Sequence, residues 1–278
     1  MATHYNAYLL DKNGDTVFYR DKPDLSKGEL FISVSQILSM LGGGDYLIRW
    51  ALKEFGGALD PIRAHMDYMD KVSTLGSKLH KYIEYDLKKQ VYPENELTDD
   101  MVPGIMSWEV FKSDHDIEMI DSERVLHSKT YRFAGTLDLR IKIDGKTYIA
   151  DLKTGSIQDK AFIQLSAYKT MMKEMGLSDG SEELLVLGGN DSKTKVADGG
   201  RMFMHTTDSR FKGRVSEEDL FTRLMCLREL WYQENVKSRK WEPIIKDMSK
   251  FTDPLIERFR SAFEPQTKIK TKRKKEKQ

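Results

Sequence analysis

The chain has 278 residues, 39% hydrophobic and 32% charged, with a formal net charge of +1. That is enough for one large domain or two small ones with a highly charged surface. No apolar run reaches the roughly 20 residues of a membrane helix, the Met1-Ala-Thr-His terminus has no basic stretch leading into an apolar core, and Cys226 is the only cysteine. Those features argue against a membrane protein, a secreted chain and a disulfide or four-cysteine cluster scaffold. They set the expectation of an intracellular, cytoplasmic protein.

In chain order, Ala7–Tyr19 reads as a hairpin around Asn13-Gly14. Ser33–Leu41 reads as a helix with Ser33 or Ser35 as its cap, stopped by Gly42-Gly43-Gly44. A second helix is expected over Asp45–Glu54, carrying Trp50, and a longer one over Ser73–Lys89. Pro93 and the acidic run Glu94–Asp100 mark a loop, followed by a helix over Gly104–Asp114 and a strand over Ser122–Lys129. A helix over Ser156–Met175, strands over Glu183–Leu187 and Arg201–His205, and a long amphipathic helix over Ser216–Lys237 follow. The stripe Leu220, Leu224, Leu227, Trp231 on the last of these reads as core packing. The folded part is expected to end near Phe263–Pro265.

The central stretch, Phe133 to Gly155, carries the strongest signal. Asp144-Gly145 suits a two-residue type I′ loop, in which both residues need positive φ. Leu137, Leu139, Ile141 and Ile143 alternate with polar residues, as in a half-buried strand. In such a hairpin Lys146 faces Ile143, and the same register sets Asp138 directly opposite Asp151, with Cβ atoms about 5 Å apart. Lys153, two residues on, shares the face of Asp151. Opposed like charges destabilise a sheet; a divalent cation between two carboxylates would relieve that, and so would simple exposure beside Arg140 and Lys153.

Upstream, Gly76, His80 and Glu84 follow at intervals of four and lie on one helical face. Alone, a helical histidine such as His80 is more often a surface or satisfied core residue than a ligand, and Glu84 fits a plain helix ion pair with Lys88. Downstream, Gln164 and Tyr168 are also four apart; alone, Tyr168 reads as a packing residue.

Taken together these residues resemble the RecB-type branch of the PD-(D/E)XK nuclease superfamily. The resemblance runs from Ser33-Val34-Ser35-Gln36-Ile37-Leu38 through Trp50-Ala51, Gly76-x-x-x-His80-x-x-x-Glu84, Glu123, Gly135-Thr136-Leu137-Asp138 and Asp151-Leu152-Lys153-Thr154-Gly155 to Gln164-Leu165-Ser166-Ala167-Tyr168. It implies an α/β, restriction-endonuclease-like core with a mixed sheet flanked by helices. It also implies a single nuclease domain over residues 1–265, with a helical part at about 30–115 and a catalytic core at about 120–240.

Carried over residue by residue, the resemblance makes Asp138, Asp151 and the Leu152 carbonyl ligands of Mg²⁺ or Mn²⁺. His80 becomes an added ligand and Lys153 the group that activates water or stabilises phosphate charge. Glu84 and Glu123 become supporting acids, and Gln164 and Tyr168 supports of the site. Ser33, Ser35 and Trp50 become DNA contacts. The second acid is Asp151 rather than Glu, which makes a tight metal position depend more on His80. With Cys226 alone, the chain falls in the branch without an iron–sulfur cluster. The implied activity is a metal-dependent deoxyribonuclease, an exonuclease favouring single-stranded DNA ends, of phage or replication and recombination type, with replication or recombination proteins as partners.

The tail from Lys268 to Gln278 has seven basic residues and one acidic. It cannot bury a core and reads as disordered over residues 266–278. Lys272, Arg273, Lys274 and Lys275 would attract nucleic acid, or merely solubilise. The alternative function is therefore a catalytically degenerate nucleic-acid-binding or assembly protein that relies on this tail.

Overall fold

The computed structural model describes residues 6–21, 23–42, 53–54, 56–57, 60–189, 194–238 and 241–249. The helix expected over Asp45–Glu54, including Trp50, falls largely outside these residues, and the basic tail falls wholly outside them, as does the expected end of the fold.

The architecture is α/β, with an eight-stranded mixed sheet flanked by helices. Strands β1 (Ala7–Asp11) and β2 (Thr16–Tyr19) form the expected hairpin, with Gly14 at φ 93°. β3 (Gly28–Ser33) pairs antiparallel with β1. It had no expectation in the sequence, because a short apolar run such as Leu30-Phe31-Ile32 does not distinguish strand from helix. Helix α1 (Val34–Leu38) follows, capped by the Ser33 hydroxyl, which accepts from the Gln36 N–H at 3.2 Å.

Helix α2 (Pro61–Leu87) begins twelve residues before the expected Ser73 start. Pro61 occupies its first turn and the Asp60 carboxylate accepts from the Arg63 N–H at 3.0 Å, a sound start signal. The expected loop at residues 94–100 contains two single 3₁₀ turns. Helix α3 (Val102–Asp114) packs on α2: a Cβ added to Gly104 would come within 2.5 Å of Leu79, and Asp86 accepts from both Trp108 Nε1 at 2.7 Å and Lys112 Nζ at 2.8 Å.

Strand β4 (Ile117–Ser128) is longer than expected and carries a register shift between Met119 and Asp121. The central hairpin is β5 (Phe133–Ile143) and β6 (Lys146–Lys153), with Asp144 at φ 50° and Gly145 at φ 84° as a type I′ loop requires. Its ladder runs from Ile143–Lys146 to Leu139–Ala150, the register read from the sequence. Helix α4 (Lys160–Glu174) starts four residues later than expected. β7 (Glu183–Gly188) and β8 (Phe203–Thr206) follow, with a one-turn helix α5 (Thr207–Phe211), then α6 (Glu217–Asn235) and α7 (Glu242–Ser249).

β6 and β7 pair in parallel and are buried along nearly their whole length, because helices cover both sheet faces. On one face α4 and α6 contribute Phe162, Leu165, Leu220, Leu224 and Trp231. On the other, α2 and α3 contribute Ile83, Trp108 and Phe111 against Leu139, Ile141 and Tyr148.

β5 organises the site. One edge pairs with β4 along its length. The other edge pairs in parallel with β3 at Phe133 and Ala134, and antiparallel with β6 from Leu139 onward. Between those pairings, residues 135–138 lie at a fork where β3 and β6 diverge.

Candidate active site at the strand fork

Asp138 is the next residue beyond the β5–β6 ladder, and in that register Asp151 is its partner. The β4–β5 register, which pairs Ser122 with Leu139 and Arg124 with Leu137, puts Glu123 opposite Asp138 on the other side. Three acidic residues thus line up across three adjacent strands. The sequence offered Asp138 and Asp151 through a local turn. The alignment with Glu123 depends on a longer connection with no two-residue turn to fix it. Glu123 also has φ 48°, a left-handed conformation that is strained for glutamate.

Asp151 is 1% exposed. Lys153 lies two residues on and its Nζ donates to Asp151 Oδ1 at 2.8 Å, standing 2.7 Å from Oδ2. Oδ2 itself is buried and receives no hydrogen bond of good geometry. Asp138 Oδ2 accepts from the Leu152 N–H at 3.3 Å and lies 3.6 Å from His80 Nδ1. His80 reaches the fork because Gly76, one turn earlier, lets α2 pass close to Thr154: a Cβ there would sit 3.2 Å from Thr154 Oγ1. The Leu79–Gly104 contact fixes the same turn from behind.

Burial raises the carboxyl of Asp151 above the usual range; the Lys153 ammonium opposes that and the Asp138 charge adds to it. Burial likewise raises Asp138, opposed by Lys153 and by hydrogen bonds with the Leu152 N–H and Asp151. Desolvation, with the charges of Asp138 and Glu84, pushes Glu123 up to about 7, even though the residue's overall surface is exposed. Burial, then the nearby Lys153 charge, lowers the His80 imidazole below its ordinary value, opposed by the Asp151 charge and a hydrogen bond with the Leu152 backbone, so the fold favours the neutral ring, which carries a lone pair on one nitrogen. The whole cluster is short of positive charge.

Glu84 is engaged by Lys88 in an ion pair and accepts from Ser122 Oγ at 2.9 Å, so it braces α2 against β4. Gln164 donates to the Tyr168 hydroxyl at 2.7 Å, and the Tyr168 ring fills the space beside Gly135. Burial, above all, raises the Tyr168 phenol, and the charges of Asp138 and Asp151 contribute. Ser33 is buried and its hydroxyl is the α1 cap, in contact with the exposed Ser35 Oγ at 3.0 Å. Trp50 and Lys272–Lys275 lie outside the described residues.

Two residues at the fork were given no role by the sequence. The Tyr8 hydroxyl is 3.0 Å from Thr136 Oγ1. Thr136 was reachable, since it lies two positions from Asp138 on the same strand face. Tyr8 comes from β1 and gave no local signal.

Among the described residues, no group of three or more His, Cys, Asp and Glu side chains closes into a ready metal cage. The donors at the fork are nevertheless of the right kind for Mg²⁺ or Mn²⁺: carboxylate oxygens, one buried without a hydrogen bond, with a neutral imidazole alongside. Asp138, Asp151, the Leu152 carbonyl and His80 are the residues that would hold such an ion, with water and phosphate completing its shell.

No family model matches the chain, and no curated protein matches its sequence. Among the described residues no helix is long and apolar enough to cross a membrane.

Proposed function

We propose that this protein is a metal-dependent deoxyribonuclease with a PD-(D/E)XK-type core, acting as an exonuclease on single-stranded DNA ends. The reading rests on one observation: Asp138 and Asp151 meet at the fork with Lys153 on the second carboxylate and His80 on the first. The resemblance of the sequence to RecB-type nucleases supports the same residues in the same roles.

Phosphodiester hydrolysis adds negative charge to a phosphate that already carries one. A bound divalent ion neutralises that charge and lowers the pKa of its water toward neutrality. The chain's own groups do the rest. Asp138 and Asp151 supply the anionic seat, and the Leu152 N–H orients Asp138. His80, whose neutral form the fold favours, offers a ring nitrogen as a further ligand. Lys153 neutralises Asp151 in the resting state and is free to turn its ammonium to phosphate oxygens once another cation takes over that duty. Tyr168 and Gln164 keep α4 packed against the fork.

One observation favours a second reading. The direct Lys153–Asp151 ion pair closes the site electrostatically, as in a nucleic-acid-binding or assembly protein whose centre is no longer catalytic. Incubation of end-labelled single-stranded, double-stranded and circular DNA with Mg²⁺ or Mn²⁺ decides. Stepwise shortening of linear single strands with circles left intact supports the exonuclease. Binding without cutting under every metal condition supports the second reading.

A further inference from the structure

We propose that Phe18 is a stacking platform for an unpaired nucleobase next to the scissile phosphate; this deepens the nuclease reading and rests on it. Tyr8 lies directly opposite Phe18 across β1–β2 and opposite Phe31 across β1–β3. Directly opposed residues of antiparallel strands share a face, so the three rings line one surface. Tyr8 and Phe31 are buried in a small core with Leu10 and Ala134, whereas Phe18 is 47% exposed. The Tyr8 and Phe18 ring centres are 5.1 Å apart at an interplanar angle of 59°.

That pair is tied to the candidate site. The Tyr8 hydroxyl meets Thr136 Oγ1 at 3.0 Å, and Thr136 stands two residues from Asp138 on the same face of β5. Tyr8 also lies near enough to Glu123 to feel its charge. Single exposed apolar side chains are common on any surface and need no function. Phe18 differs in resting against a ring that is hydrogen-bonded to the wall of the site.

Charge selects the occupant. Glu123, whose charge reaches Tyr8, makes the approach beside Phe18 acidic, which suits a neutral base better than a phosphate. The phosphate belongs where a cation held by Asp138 and Asp151 would sit, beside Lys153. A base face is free to stack only where the strand is unpaired, which makes single-stranded nucleic acid, or a frayed end, the substrate class. Stacking on an aromatic side chain tolerates any sequence, because every base has a π face.

The test uses the full chain carrying Asp151→Asn, which holds substrate without cutting it. Its affinity is measured for a short oligothymidylate and for the same oligonucleotide with one abasic residue moved along it. One abasic position should weaken binding by roughly 5- to 140-fold, the loss of one stacked base. Adding Phe18→Ala should weaken the intact oligonucleotide by a similar factor and flatten the abasic profile, and Phe18→Trp should restore both. Unchanged affinity in Phe18→Ala, an equal loss at every abasic position, or a changed oligomeric state with the abasic profile intact would overturn the platform.

The nuclease reading is separable from it. Phe18→Ala in the otherwise wild-type chain, cutting with unchanged kcat and KM, removes the platform and leaves the nuclease. A position-specific abasic effect in a wild-type protein that cuts nothing with Mn²⁺ removes the nuclease and leaves a base-binding site.

Discussion

Gly135 and Tyr168 interlock across the β5–α4 interface: a Cβ on Gly135 would lie 2.6 Å from Tyr168 Cε1 and 3.2 Å from its hydroxyl. Glycine at this position lets the ring approach the strand closely, three residues before Asp138. Gly135→Ala should therefore push Tyr168 and α4 away from the fork. Overpacking of this kind costs about 1–3 kcal/mol. A thermal melt should show the loss, and cleavage should fall further than stability alone explains. Gly135→Ala that melts and cuts as wild type would show that the ring moves aside freely.

His80 tests the imidazole's role. If it ligates, His80→Ala should require more Mn²⁺ for half-maximal cleavage, and its deficit should shrink as Mn²⁺ is raised. A metal titration that overlays wild type would return His80 to a packing role and leave a two-carboxylate seat.

The carboxylate pair gives a stability prediction. The ionised form of Asp151 is disfavoured in the folded protein by burial and by Asp138. In chelator, Asp151→Asn should therefore melt at or above wild type, despite losing its Lys153 partner. Lys153 is 32% exposed and can turn to water. Added Mn²⁺ should raise the wild-type melting temperature, the stabilisation being about 2.7 kcal/mol at a hundredfold excess over its dissociation constant. It should do much less for Asp151→Asn. Equal Mn²⁺ shifts in the two proteins would place the metal elsewhere.

Glu123 supplies the pH dependence. Its folded pKa is raised to about 7, so the folded state favours the neutral acid. The stability this contributes is complete below the unfolded value of roughly 4.3 and is lost as pH rises through about 7. Glutamine mimics the neutral acid at every pH. In chelator, Glu123→Gln should melt close to wild type at pH 5 and above it at pH 8. The lowered histidines His80, His127 and His205 are present in both proteins and cancel in the comparison. A difference in melting temperature that does not change with pH would mean that Glu123 is not crowded by Asp138 and Glu84.

How much of this was legible in the sequence depended on how local the determinant was. Asp144-Gly145 fixed a hairpin, and the hairpin alone set Asp138 against Asp151 and put Lys153 beside it. The Ser33 cap and the His80–Glu84 helix were legible for the same reason. Glu123 opposite Asp138 was not, because β4 reaches β5 through a longer turn and carries a register shift of its own. The fork was not legible either: it exists because β3, over one hundred residues upstream, takes the edge of β5 that β6 leaves. Tyr8 was hidden for the same reason. The early start of α2 was signalled by Asp60-Pro61, but the exposed Met66, Met69 and Val72 gave that segment no buried face to read.

The most direct test of the central claim is single-turnover cleavage of end-labelled single-stranded DNA with saturating Mn²⁺, comparing wild type with purified, folded Asp151→Ala. Loss of a group that seats the metal should remove about 4 kcal/mol or more of transition-state stabilisation, roughly a thousandfold in rate. Asp138→Ala and Lys153→Ala should fall comparably, and chelator should abolish wild-type cutting. Cleavage by Asp151→Ala at the wild-type rate, or by wild type in chelator, would contradict a metal-dependent centre at the strand fork.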